Sequence, residues 1–216
     1  MKLLDLLFPP KCAFCGTLLK DSEQGVCAAC EKVLPYFDGT VTGNYFDVCV
    51  APLRYEGKVR EAVHRFKFED HPASADAFAA FVADAVRYHG LEADVATFVP
   101  ISCRRKRTRG YDQAQLLAEA AAKRLGLPCE RLLRKITDNP AQSGLDAEAR
   151  RANVLGAYEI QPGAQIAGKR ILLLDDVVTT TATLAECSRV LLTAGAEQVC
   201  CAAFARAGGT TKENEV

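Results

Sequence analysis

The chain has 216 residues, 49% of them apolar and 25% charged, with a formal net charge of zero. That size and composition suit one substantial globular domain with a small appended module. A neutral chain carries no global field toward nucleic acid or membrane, so any such affinity must come from a local patch. No apolar run approaches the roughly 20 residues of a membrane span, and no membrane insertion is expected.

The first stretch, "MKLLDLLFPPKC", is too short an apolar segment for a signal peptide. Asp5 interrupts it and no small-residue cleavage site follows. A reducing cytoplasm is the expected location. In that compartment the ten cysteines are metal ligands, core residues or reactive thiols rather than disulfides.

Four of them fall in a pattern. Cys12-x-x-Cys15 and Cys27-x-x-Cys30 are separated by eleven residues. Two such knuckles place four thiolates around one Zn²⁺, and a four-thiolate site is structural because it leaves no open position for chemistry. Gly16 permits the tight turn after the first pair. A module of this size cannot bury enough surface to stand alone, and metal binding supplies the missing stability. Cys187, Cys200 and Cys201 lie in apolar surroundings and read as core. Cys103 sits beside a basic run, a setting that can lower a thiol pKa. Cys49 and Cys129 show no ligand spacing.

Beyond the module, "FDVCVAPLRY" (46 to 55) reads as a strand or hairpin. Val59, Ala62, Val63 and Phe66 recur at helical spacing, as do Phe78, Phe81, Val82 and Ala85. The His71-Pro72 step separates these two helices. His64 and His71 lack a metal partner at useful spacing and read as solvated or packed. "VATFVPIS" (95 to 102) is a short apolar strand. A helix follows over 112 to 126 and Gly126 closes it, then "CERLLRK" reads as a strand. Residues 137 to 156 are polar and aperiodic, a long loop of the kind tied to function. "RILLLDDV" is a central strand, "TLAECSRVLLTAG" a helix ending at Gly195, and "QVCCAAFAR" another strand. Strands alternating with helices imply an α/β fold with a mainly parallel sheet. Ligands in such sheets bind at the carboxyl ends of strands. The expected division is a module over 1–45 and a main domain over 46–216.

"LLLDDVVTTTATL" carries the chemistry. Strand Ile171 to Leu174 is read as ending at Asp175 and Asp176. Residues 179 to 183 then form the turn into a helix. Backbone N–H groups at a helix start attract anions, and Thr179, Thr180, Thr181 and Thr183 add hydroxyl donors around Ala182. The carboxylates would repel phosphate but suit ribose hydroxyls or Mg²⁺. A sugar phosphate satisfies both halves. Helix capping alone needs one such residue, and six polar side chains crowd these nine positions. Upstream, after Ser102, the cations Arg104, Arg105, Lys106, Arg107 and Arg109 follow a strand. A basic run there is either a solvated face or a site for a diphosphate or a nucleic-acid backbone.

The acid–threonine stretch resembles the phosphoribosyl-diphosphate (PRPP) signature of type I phosphoribosyltransferases. Adding "RYEGKVREAVHRFKF", "RRKRTRGYDQAQLLAEAAAKRLGLP", "NPAQSGLDAEARRANVLGAYEI" and the four cysteines, the whole chain resembles the ComF/GntX family. That resemblance implies a zinc finger joined to a phosphoribosyltransferase-type domain and a link to natural competence, the uptake of single-stranded DNA. It implies that Asp175 and Asp176 meet the ribose, with Mg²⁺ accompanying PRPP. Residues 179 to 183 would hold the 5′-phosphate, and Ser102, Arg104, Arg105, Arg107 and Arg109 the diphosphate or a DNA backbone. Gln142, Arg150 and Arg151 would sit in a hood that closes over the site. A transferase of this kind belongs to the pentosyl class, and the sequence names no acceptor. A second reading uses the same scaffold as a single-stranded DNA binder without turnover. The basic run, the zinc finger and Tyr111 as a stacking surface would grip the strand, alongside other DNA-uptake proteins. There are two departures from the family pattern. Asp112 replaces an asparagine and loses an amide donor. Thr181 stands where glycine is usual, which costs on the order of 1–2 kcal/mol if the backbone there needs a positive φ.

Overall fold

Strands β7 (Arg170–Val178) and β8 (Gln198–Arg206) lie side by side at the centre of the structure. The computed structural model describes residues 9–69, 71–137 and 154–208. Their six-stranded sheet runs β1 (Thr40–Gly43), β2 (Phe46–Val50), β8, β7, β4 (Val95–Phe98), and β3 (Leu53–Arg54) also pairs with β8. All pairings are parallel except β1 with β2. β2 and β3 are two pieces of one border along β8, interrupted at Pro52, which has no N–H to give a ladder. The mainly parallel α/β sheet expected from the sequence is present.

Period-2 alternation divides the sheet's side chains between two cores. Leu172, Leu174, Ala202 and Phe204 face one side, against α2 (Gly57–Phe68), α3 (Ser74–Tyr88) and α5 (Gln113–Leu125). Ile171, Leu173, Val199, Cys201 and Ala203 face the other, against Leu184, Cys187 and Leu191 of α6 (Ala182–Thr193). The helix faces read from the sequence bury Val59, Ala62, Val63 and Phe66 on α2, and Phe78 and Val82 on α3. Cys187, Cys200 and Cys201 are core residues, as expected.

Two boundaries differ from the sequence reading. Strand structure in "CERLLRK" is confined to β5 (Leu133–Lys135), which pairs antiparallel with β6 (Tyr158–Ile160) in a separate small sheet. β7 does not stop at Leu174. It continues to Val178, because β8 runs to Arg206 and pairs with it all the way. The two aspartates therefore sit inside a strand rather than beyond its end.

The cysteine module packs onto the main core. Its helix α1 spans Ala28–Glu31. Gly16 has φ +75°, the conformation its knuckle requires. Phe14 is 1% exposed, with ring centroids 5.9 Å from Phe78, 5.9 Å from Phe81 and 6.2 Å from Phe204. Arg65 of α2 donates to the carbonyls of Phe14 at 2.7 Å and Ala13 at 3.3 Å. The module and the sheet thus share one aromatic cluster. Phe14→Ala should cost about 3–5 kcal/mol. Denaturant unfolding should stay a single transition displaced as a whole. A separate early transition of the module, with the main transition unmoved, would contradict the shared core.

Candidate functional site

The four cysteines are brought together. The Sγ atoms of Cys12, Cys15, Cys27 and Cys30 all lie within 4.8 Å of one another. Cys15 and Cys27 Sγ are 3.7 Å apart, close to the roughly 3.8 Å edge of a tetrahedron with Zn–S bonds of about 2.3 Å. The Cys27 N–H donates to Cys12 Sγ at 3.4 Å and Lys58 Nζ to Cys30 Sγ at 3.4 Å. Such outer contacts orient thiolates and offset their charge. Burial pushes the Cys12 thiol up and the Cys30 thiol up to about 12, while the Thr17 hydroxyl draws Cys15 down to about 6. Three buried sulfurs and one exposed one make a closed structural zinc site. Cys49 is no part of it. It is fully buried in β2, where burial raises its thiol to about 12.

At the carboxyl edge of the sheet, Asp176 meets a cation that sequence reasoning did not assign. Lys67 Nζ lies 2.5 Å from Asp176 Oδ2, with side-chain exposures of 22% and 7%. Asp175 Oδ1 accepts the Asp176 N–H at 2.8 Å. Desolvation, then the Asp176 charge, hold the Asp175 carboxyl well above the usual carboxylate range. Burial works against the Lys67 ammonium, yet Asp176 and Asp175 outweigh it and its pKa is raised. A signal for Lys67 was present in the sequence. It continues the buried stripe Val59–Val63 at i+4, where a charge on an apolar face calls for a partner.

The basic run forms α4 (Cys103–Arg109) after β4, with no buried residue. Ser102 caps it by accepting the Arg105 N–H at 3.3 Å. Arg107 is exposed, whereas Arg109 turns inward. The Arg109 guanidinium stacks on Phe68 with 5.0 Å to the ring centroid, donates to Gln113 Oε1 and feels the Asp176 charge. Asp112 compensates for its lost amide. Its buried carboxylate accepts the N–H of Ile101 at 3.1 Å and of Gln115 at 3.3 Å, capping α5 and tying down the loop after β4. Tyr111 has another role than an open stacking face. Its hydroxyl donates to the Phe66 carbonyl and its ring lies 6.1 Å from that of Phe66.

Thr179 is exposed and Thr180, Thr181 and Thr183 are half-buried, around the buried Ala182 that starts α6. Thr181 has φ −73° and ψ 0°, so its backbone is right-handed and a threonine sits there without strain. Space for its side chain comes from Gly43, where an added Cβ would fall 3.2 Å from Thr181 Cβ and 2.5 Å from the Phe46 ring. The hood residues Gln142, Arg150 and Arg151 lie outside the described residues.

Two domain families match the sequence. Residues 3–60 match the double zinc ribbon domain and residues 111–215 the phosphoribosyl transferase domain. Competence protein F of Haemophilus influenzae is 32% identical over 206 residues, spanning 92% of this chain and 85% of its own length. The chain belongs to the ComF family. The DNA utilization protein YhgH of Salmonella typhimurium is 32% identical over 219 residues, 90% of this chain and 96% of its own. Competence protein ComFC of Streptococcus pneumoniae is 30% identical over 149 residues, 69% of this chain and 64% of its own. The ComF resemblance read from the motifs therefore stands, with its phosphoribosyltransferase domain and its four-cysteine zinc ribbon. Between residues 3 and 60 the only histidine or cysteine beyond the four ligands is Cys49, so this ComF chain carries the ligands of one ribbon.

The acid pair makes two opposite demands on stability. Lys67→Met leaves buried carboxylates without their cation and should cost about 3 kcal/mol at pH 7. The loss should shrink toward pH 4 as the raised Asp175 carboxyl protonates. Asp175→Asn should do the reverse. A carboxyl with a raised folded pKa takes up protons on folding, so its contribution to stability falls as pH rises above the ordinary carboxylate value of about 3.9. The variant should melt above the wild type at pH 7 and together with it near pH 4. Thermal melts across that range check both signs.

Proposed function

We propose that this ComF chain binds PRPP with Mg²⁺ at the carboxyl edge of β7. The observation that carries the reading is the sequence of features along β7 and α6. Two acids in the strand are followed by a hydroxyl-bearing turn and the N-terminus of a twelve-residue helix, with Lys67 paired to Asp176. Asp175 and Asp176 would take the ribose hydroxyls and share the cation. Thr179, Thr180, Thr181 and Thr183, with the N–H groups around Ala182, would take the 5′-phosphate. Arg104, Arg105, Arg107 and Arg109 would face the diphosphate, and Ser102 holds their helix in place.

In phosphoribosyl transfer the ribose C1 becomes cationic as the diphosphate leaves. The residues here bind both ends of the donor, and the arginines neutralise the departing charge. The Asp175 and Asp176 carboxylates are hard oxygen donors that suit Mg²⁺, which when bound supplies further neutralisation of the diphosphate. Lys67 keeps the acids satisfied before the ligand arrives. The names of the relatives support a place for this activity in DNA uptake or utilization, and the proposed setting is the cytoplasm, with single-stranded DNA and other uptake proteins as partners. No helix among the described residues is long and apolar enough to cross a membrane.

Isothermal titration of the full chain with PRPP and Mg²⁺ should give saturable binding, lost in the Asp175→Asn/Asp176→Asn double variant. No heat at millimolar PRPP, or equal binding by the variant, would remove the reading. Single-stranded DNA should bind with an affinity that falls steeply with salt and weakens when Arg104, Arg105 and Arg107 become alanine.

A further inference from the structure

β3 and β8 both finish on an arginine. The register places Arg54 opposite Arg206, and Arg206 opposite Val178. These three residues form one row across β3, β8 and β7 at the carboxyl edge. Side chains in such a row point to the same face. Val178 belongs to the buried cluster beneath α6, so the row faces the α6 side. From Val178 the chain passes directly into the 179–181 turn, and the Ala207 N–H donates to the Val178 carbonyl at 2.8 Å, keeping the Arg206 end against it.

Phe37 packs on that same cluster. The guanidinium carbons of Arg54 and Arg206 lie 5.1 Å and 5.3 Å from its ring centroid. The ring's place is reserved by Gly39, where a Cβ would fall 2.7 Å from Phe37 Cζ. Both arginines are half-buried. Among the described residues neither forms an ion pair with a carboxylate. Two like charges directly opposite one another in a sheet repel, and sharing one ring relieves only part of that. As pure structure the arrangement is unfavourable. It suits an anion, because planar guanidinium forks match the oxygens of a phosphate. The neighbouring threonine turn offers hydroxyl and N–H donors and no charge, while Lys67 is engaged by Asp176 and Arg109 by Gln113 and Phe68.

We propose that Arg54 and Arg206, seated on Phe37, form a phosphate site beside the 179–181 turn that takes the monoester phosphate of the bound sugar phosphate. This deepens the sugar-phosphate reading above and rests on it for the identity of the ligand. The site supplies the charge that the threonine turn lacks. It therefore selects a dianionic monoester over an uncharged sugar.

The test uses the full chain with Arg54→Met, Arg206→Met and the double variant, since methionine keeps an apolar stem over Phe37 while removing the charge. Melting temperature and zinc content confirm folding. Titration with ribose 5-phosphate and with inorganic phosphate at fixed ionic strength reads the site. Each single variant should bind ribose 5-phosphate roughly tenfold more weakly, and the double variant more weakly still. Equal affinity of wild type and double variant overturns the site, and does so without touching the acid-pair reading if PRPP still binds through Asp175 and Asp176. Arginine-dependent binding of phosphate by a chain that ignores PRPP supports the site and removes the PRPP reading. Absence of binding by the wild type to any of the three ligands overturns both.

Discussion

The contact between Lys67 and Asp176 is the one on which the carboxyl edge of this sheet depends. β8 keeps pairing to Arg206, so β7 cannot end before its acids and carries them into the ladder. Two adjacent carboxylates placed there repel each other and lose water. A cation must reach them, and the one that does comes from the last turn of α2. The position of α2 is therefore an electrostatic requirement as well as a packing one. Arg109, stacked on Phe68 of the same helix, adds a second positive charge whose field reaches Asp176.

That requirement reaches back to the zinc ribbon. Arg65, two residues before Lys67, holds the carbonyls of Ala13 and Phe14, and Phe14 is sealed into the rings of α3 and β8. Lys58, at the start of the same helix, donates to Cys30. One helix thus touches the metal-binding thiols at one end and the acid pair at the other. The ribbon orients the helix that neutralises the site. A metal held by the four thiols would thereby steady the main domain from outside the sheet.

Much of this was legible without coordinates. The four cysteines announce themselves because tetrahedral thiolate geometry tolerates few spacings, and their sulfurs do meet. The parallel sheet is legible because strands buried on both faces read as continuous apolar runs. The acid–threonine stretch stands out by chemistry that a buried strand has no reason to hold. Thr181 was legible only as a question. Its φ of −73° and the gap left by Gly43, distant in the chain, answer it. Asp112 is similar, since nothing local indicates that its carboxylate spans the Ile101 and Gln115 amides.

By itself the sequence determined the principal strands and helices, the metal ligands and the strand that bears the acids, each from periodicity or from residues close together in the chain, and its motifs carried the family resemblance. Only the tertiary structure decided which charges meet: Lys67 with Asp176, Arg109 over Phe68, Arg54 beside Arg206. These pairs join residues brought together by strand register and helix docking, and no local pattern encodes either. The length of β7 was decided the same way. A strand continues as long as a neighbour supplies hydrogen bonds, and here the neighbour is β8, at Arg206.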